Sequence, residues 1–266
     1  MTSTRLRVTL SAVCALCAIL GVVFLFGPAT SATNGGSSCD RLPSHWKLRK
    51  ALEAARAEDN GGFNLDMWGA IVNRDGVVCA VAFTGDNRGS QWPGSRVISA
   101  QKANTANAFS LPQLALSTAN LWAAVQPGGS LYGLQHSNPV DTGAAYQGPS
   151  SHYGTANDPL VGNKIGGINV FGGGLALYNE DHVLIGGLGV SGDTSCADHN
   201  IAWRTRHNLD LDFVTGGVGP AGRVDNINYQ GLVPNPSLQN DFSHPVCAIA
   251  GVDNVSAISA ALPVTQ

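Results

Sequence analysis

The stretch Gly166–Asp198, GGINVFGGGLALYNEDHVLIGGLGVSGDTSCAD, constrains this chain more than any other. Its pattern predicts an apolar strand at 168–171, a break at Gly172–Gly174, a second strand at 175–178, a polar turn, and a third strand at 182–190 that leads into a helix. Glycine inside a strand gives up packing and backbone entropy, and what it gains in return is positive φ or close backbone approach. Gly172–Gly174 and Gly186–Gly187 are therefore expected to form either a pocket wall or tight turns and the bed of a crossing helix.

The N-terminus speaks to compartment. Arg5 and Arg7 precede an uncharged, mostly apolar run from Val8 to Phe26, and the small residues Ala29–Ala32 follow. That order is an export signal, 1–32, with cleavage after Ala32. The apolar run is long for a signal and near the length that spans a bilayer, so an uncleaved membrane anchor is the alternative. The expected location is secreted, periplasmic or extracellular, without stable membrane insertion once the signal is removed. Cys14 and Cys17 leave with the signal, and Cys39, Cys79, Cys196 and Cys247 remain. An even count in an exported chain predicts two disulfides; of three possible pairings, sequence neighbours give Cys39–Cys79 and Cys196–Cys247. Zinc is the competing reading, but this part of the chain holds no short CxxC pair. Past position 32 thirteen basic residues stand against all eighteen acidic ones, with no basic block, which argues against nucleic acid or an anionic membrane as partner.

The pattern along the chain predicts one α+β domain at 39–213, with a long insertion at 129–164, and an extended tail at 214–266. Pro43 opens a helix whose apolar stripe is Leu48, Leu52 and Ala55. Two strands, 68–72 and 77–83, flank the turn Asn73-Arg74-Asp75-Gly76. A helix follows from Ser95, read as its N-cap, to Phe109, and Pro112 starts another that carries Leu114, Leu121, Ala124 and Val125. Periodicity fails from Gly129 to Lys164, where Pro139, Pro149 and Pro159 punctuate Gly, Asn, Asp and Ser. A loop of that length is usually functional or an oligomer arm. Its Tyr132, Tyr146 and Tyr153 favour a packed segment over a disordered one. A last helix is expected over 198–209, with Asp198 at its positive end.

Several residues suit chemistry. Arg88 and Trp92, in the loop 85–94, could take an anionic ligand edge and a flat ring, the alternative being a solvated arginine beside a half-buried tryptophan. Lys102 shares a helix face with Ile98, Thr105 and Phe109, so its ammonium either snorkels to solvent or meets a ligand carboxylate. The seven histidines form no close ligand pair on an evident helix face. His199 is the best single iron or metal ligand, because it opens a helix beside the glycine-rich strand; the alternative is a surface histidine hydrogen-bonded at a helix start. Nucleophile-elbow, zinc-protease, phosphate-loop and calcium-loop motifs are absent from the sequence.

Asn73-Arg74-Asp75-Gly76, the run Lys102-Ala103-Asn104-Thr105-Ala106-Asn107-Ala108-Phe109 within SAQKANTANAFSLPQLAL, Gly166–Val170, and Ile185–Gly192 followed by Asp198 together resemble the haem-binding, haem-degrading-type family that includes the glycolate-utilisation G protein. The likeness spans roughly 42–209. It implies an α+β, profilin-like antiparallel sheet packed with helices, and assembly into dimers or larger rings. Some members of that family bind haem outside the cell and sense or buffer redox stress, others are fused to corrinoid enzymes, and many have no established activity. Lys102, Thr105, Ser191 and Asp198 stand at motif positions. The expected function is an exported haem-binding protein for sensing, storage or redox buffering, with His199, Lys102, Thr105, Asp198 and Arg88 as candidate contacts. A nonenzymatic oligomeric scaffold and a small-molecule enzyme are the alternatives.

Overall fold

The computed structural model describes residues 38–230, 241–247 and 254–266. The export signal expected at 1–32 lies outside the described residues. Among those described, no helix is long and apolar enough to cross a membrane.

The architecture is α+β. A four-stranded antiparallel sheet is built from β1 (Trp68–Asn73), β2 (Val78–Phe83), β3 (Gly174–Tyr178) and β4 (Leu184–Ser191), in the order β2-β1-β4-β3. β1 and β2 form the expected hairpin through Asn73–Gly76, where Gly76 takes φ +76. Both faces of the sheet are covered. On one, α1 (His45–Arg56) and α5 (Ser195–Asn208) bring Leu48, Leu52, Ile201 and Trp203 against Ile71, Leu188 and Val190. On the other, α2 (Ser95–Phe109) sets Val97, Ala100 and Ala103 against Ala70, Val72 and Val81. Alternation along β1 thus sends Ile71 to one core and its neighbours Ala70 and Val72 to the other.

The glycines of β4 are the bed of the crossing helix. A side chain on Gly187 or Gly189 would strike the α2 backbone at Ala103 or Ser99. Small residues on both surfaces bring helix and strand closer than larger side chains would permit.

Three expected elements differ. Residues 168–171 form no strand, because side chains of α2 take the hydrogen bonds that a partner strand would have taken: Asn104 Nδ2 donates to Gly167 O (2.9 Å) and Asn169 N donates to Thr105 Oγ1 (3.0 Å). The helix after Pro112 is replaced by two 3-10 turns, Thr118–Leu121 and Ala123–Val125. Leu111 and Leu114 pair across a bridge there, and Ser117 with Asn120 closes a capping box that starts the chain afresh. Ser95 is the first helical residue of α2 rather than its cap, which is Gly94.

The insertion is packed onto the domain. It contains α3 (Leu134–Ser137), α4 (Thr142–Ala145) and the 3-10 turn Ser150–His152. Ala145 and Leu160 join the α2-side core, while Val78 N donates to Asn163 O and Gly162 N to Val78 O (both 2.9 Å), covering the outer edge of β2. In the tail, β5 (Asn228–Tyr229) and β6 (Ser243–His244) pair in parallel, and α6 (Val255–Ala261) packs on α5. Two disulfides tie the ends down, Cys39–Cys79 and Cys196–Cys247, with Cα–Cα distances of 5.4 and 5.9 Å.

Candidate functional site

Two clefts flank the N-terminal half of α2, and the residues singled out from the sequence are divided among them and the core. The first, about 300 Å³, has Trp92, Ile98, Lys102, Phe171, Ser191 and Asp198 in its lining. Lys102 neither snorkels nor waits for a ligand. Its ammonium is buried and donates to Asp198 Oδ2 (2.7 Å) and Val190 O (3.1 Å). The other carboxylate oxygen of Asp198 accepts from Gly192 N (3.0 Å) and Asp193 N (2.8 Å), beside the start of α5. Burial pushes the Asp198 carboxyl up to about 6, against the pull of Lys102 and the backbone amides, so it is ionised at neutral pH. Gly173, at φ +115, is needed beside this pair, since a side chain there would crowd Lys102 Nζ and Asp198 Cβ.

Thr105 stands behind this cleft. Its hydroxyl donates to Gln101 O (2.8 Å) and accepts from Asn169 N (3.0 Å), which holds the 167–171 segment in place as one wall. Trp92 and Phe171 remain 52% and 46% exposed at the mouth. The cleft is an apolar rim over an ion pair that is already satisfied.

His199 lines neither cleft. It is fully buried on α5, contrary to the surface position weighed from the sequence, and its Nε2 lies 3.0 Å from Asn226 Oδ1. Asn226 Nδ2 donates to Ser259 O, which orients the amide so that His199 Nε2 is the donor. His199 Nδ1 is buried without a hydrogen-bond partner among the described residues. Burial pushes the imidazole down to about 3, so it is neutral.

The second cleft, about 510 Å³, lies between the Asn87–Gly89 loop, the start of α2 and the insertion; Trp68, Arg88, Arg96, Val97, Tyr146 and Tyr153 are among its lining. Arg96 is committed: Nε donates to Asp158 Oδ2 (2.8 Å), a second nitrogen reaches Ala145 O (3.0 Å), and its guanidinium stacks 3.6 Å from the Tyr153 ring centroid. Tyr153 in turn donates its hydroxyl to Tyr146 O (3.0 Å). Arg88, by contrast, is exposed and has no hydrogen bond or ion pair among the described residues. The indole N–H of Trp68, buried in the same lining, also has no hydrogen-bond partner among the described residues. Walls of aromatic side chains with an uncommitted guanidinium at the rim suit a flat ligand that carries a carboxylate.

Sequence reasoning singled out Arg88 and missed the surface opposite it. Tyr146 and Tyr153 come from the insertion, and the signal available was an aromatic content too high for a solvated loop. A larger concavity, about 640 Å³, lies between α1 and the end of α5, with Lys47, Lys50, Ala54 and Leu211 in its lining. It contains no aromatic side chain and no residue of the sequence motifs.

Fold and clefts together define a small α+β domain with the means to hold a small molecule. Residues 44–206 match the family described as haem degrading protein HbpS-like, and the chain belongs to that family. Among solved structures, PduOC in complex with heme is 25% identical, aligned over 62% of this chain and 91% of that one at a TM-score of 0.43. The Klebsiella pneumoniae protein ORFY is 26% identical over 62% and 86%, at a TM-score of 0.41. HbpS is 16% identical over 62% and 86%, at a TM-score of 0.39. No curated protein matches the chain.

Proposed function

We propose that this is an exported haem-binding protein that takes its ligand in the cleft between Arg88, the start of α2 and Tyr146, and that it senses, stores or buffers haem. The observation that carries the reading is the family match over residues 44–206. The second cleft supports the ligand class: it offers free Arg88 for a propionate, Tyr146 and Tyr153 as planar walls, and the Tyr146 phenol as an oxygen donor of a type that ligates haem iron. When bound, haem would supply a redox-active iron. The chain's own part is to bind the carboxylate, flank the ring and limit the approach of water. Two disulfides suit a protein that works in an oxidising compartment. Assembly into a homo-oligomer belongs to the same reading, and light scattering on the purified chain tests it.

His199 is the second reading, favoured by its unpartnered Nδ1. It requires the fold to open around the ring, which is fully buried and lines neither of the two clefts. Titration with haemin, followed at the Soret band, separates these cases. Saturable binding that weakens about tenfold in Arg88→Ala and is unchanged in His199→Ala supports the cleft, a loss of the order expected for one charge-assisted contact. The reverse pattern assigns the iron to His199. No saturable shift leaves the nonenzymatic scaffold, or an enzyme acting on another small molecule, as the function.

A further inference from the structure

At the start of α5, away from the aromatic cleft, the Cys196–Cys247 disulfide lies against a buried histidine. Cys196 Sγ, Cys247 Sγ and one ring nitrogen of His244 all lie within 4.8 Å of one another. His244 Nδ1 is 2.7 Å from Pro245 O, and a carbonyl can only accept, so Nδ1 carries the proton and Nε2 keeps its lone pair. Nε2 is 3.3 Å from Ser195 Oγ, which is itself 3.3 Å from Cys247 Sγ, so one hydroxyl stands between the ring and the sulfur. A ring nitrogen that donates to a backbone carbonyl while the other keeps its lone pair is the arrangement that orients histidine towards a metal, and here an ion has only the Ser195 hydroxyl to displace from Nε2.

We infer that reduction of Cys196–Cys247 opens a metal site in which two thiolates and His244 Nε2 bind a zinc-class divalent ion. Two sulfurs and one imidazole are a donor set that zinc accepts, with a fourth position left to water. Ligands about 2.0–2.3 Å from a tetrahedral ion stand roughly 3.5 Å apart, so freed sulfurs need to separate only by about the distance that two nonbonded sulfur atoms require. The surroundings favour thiolates: Cys196 N–H is 3.2 Å from Cys247 Sγ, at the N-terminus of a fourteen-residue helix. Cys196 and His244 are buried while Cys247 is partly exposed, which gives reductant and ion a side from which to enter.

The chemistry balances with a dithiol as reductant. Its thiolate attacks one sulfur of the disulfide, its second thiol resolves the mixed disulfide, and it leaves oxidised by two electrons while Cys196 and Cys247 become thiols. The ion then displaces two protons to solvent, and the neutral imidazole contributes a lone pair. Nothing in this site depends on haem binding. The separation of 51 residues between the cysteines is why no ligand spacing was visible in the sequence.

The test uses the full exported chain, reduced with a phosphine, freed of it without oxygen, and titrated with Co2+ and then Zn2+. One Co2+ per chain should bind with thiolate-to-cobalt charge-transfer absorption that the oxidised protein lacks, and Zn2+ should displace it. Zinc should shield Cys196 and Cys247, but not Cys39 and Cys79, from iodoacetamide. His244→Ala and His244→Gln should each weaken Co2+ binding by at least about tenfold. A reduced protein that binds no more Co2+ than the oxidised one, a band undiminished in both variants, or shielding of the wrong pair overturns the inference. So does loss of the folded far-UV spectrum on reduction, because the site needs the fold to hold its three ligands together.

Discussion

Arg96 and Asp158 stand 62 residues apart in sequence and meet in the core, the guanidinium Nε 2.8 Å from the carboxylate Oδ2 and both side chains almost wholly buried. A second pair of this kind joins Arg206 to Asp225. Each carboxylate comes from a segment without periodic structure, Asp158 from the insertion and Asp225 from the tail, and each arginine from a helix of the α+β core. The accessory segments are thereby registered on the domain by buried charge as well as by apolar contact. Such a pair adds little net stability over an apolar replacement, but losing one partner strands the other.

The Lys102–Asp198 pair should show that asymmetry with a direction. Without Lys102, Asp198 keeps two backbone N–H donors; without Asp198, the Lys102 ammonium keeps only Val190 O. Asp198→Asn should therefore cost about 3–5 kcal/mol, Lys102→Met less, and the double variant Lys102→Met/Asp198→Asn, which keeps an acceptor for the two backbone N–H groups, should recover part of the loss. Urea midpoints for the three variants check this. Equal costs for the two single variants would contradict it.

Acid should destabilise the protein through its buried histidines. The folded-state value of His199 is lowered from 6.5 to about 3, and that of His244 to about 4, so between those values and 6.5 the unfolded chain binds protons that the folded one does not. Stability present above pH 6.5 is lost as pH falls, at about 1.4 kcal/mol per unit for each group. Asp198, raised from 3.8 to about 6, acts with the opposite sign below pH 6 and offsets one of them. Denaturation at pH 7.5 and 5.0 should differ by about 2–3 kcal/mol, and His199→Gln should remove a large part of the difference. An unchanged slope in that variant would reassign the effect.

Cys247→Ser should loosen the tail and spare the sheet. The disulfide spans 51 residues, which corresponds to about 4 kcal/mol in the chain-entropy account. Among the described residues, the link joins α5 to a stretch whose strand pairing is the two-residue β5–β6 ladder and an isolated bridge at Gly217. Limited proteolysis should cut between Leu209 and Cys247 in the variant while a fragment containing α1 to α5 persists. Cleavage inside β1–β4 at the same rate would show that the tail is integral to the core.

The candidate contacts named from the sequence do not form one constellation. Lys102 and Asp198 meet, with Thr105 behind them; Arg88 faces a different cleft; His199 is sealed beneath Asn226. Position on a helix face told which way Lys102 points, but not that an aspartate 96 residues away already waits there. The 168–171 stretch departs from its strand-like pattern for the same reason. Its apolar pattern suits a strand, and only the arrival of Asn104 and Thr105 from α2 decides that side chains take its hydrogen bonds.

By itself the sequence determined what depends on local pattern: the apolar stripe of α1, the Asn73–Gly76 hairpin, the long α2 and α5, and the glycines that make β4 smooth enough for a helix to cross. Those signals lie within a few residues of one another, because backbone sterics and the 3.6- and 2-residue periods act at that range. The tertiary structure decided which charges are spent and which are free. Burial of Arg96, Lys102 and Arg206 against distant carboxylates leaves Arg88 uncommitted beside the aromatic cleft. Coulombic and desolvation energies depend on distance through space and on exclusion of water, and neither is written in the spacing of residues along the chain.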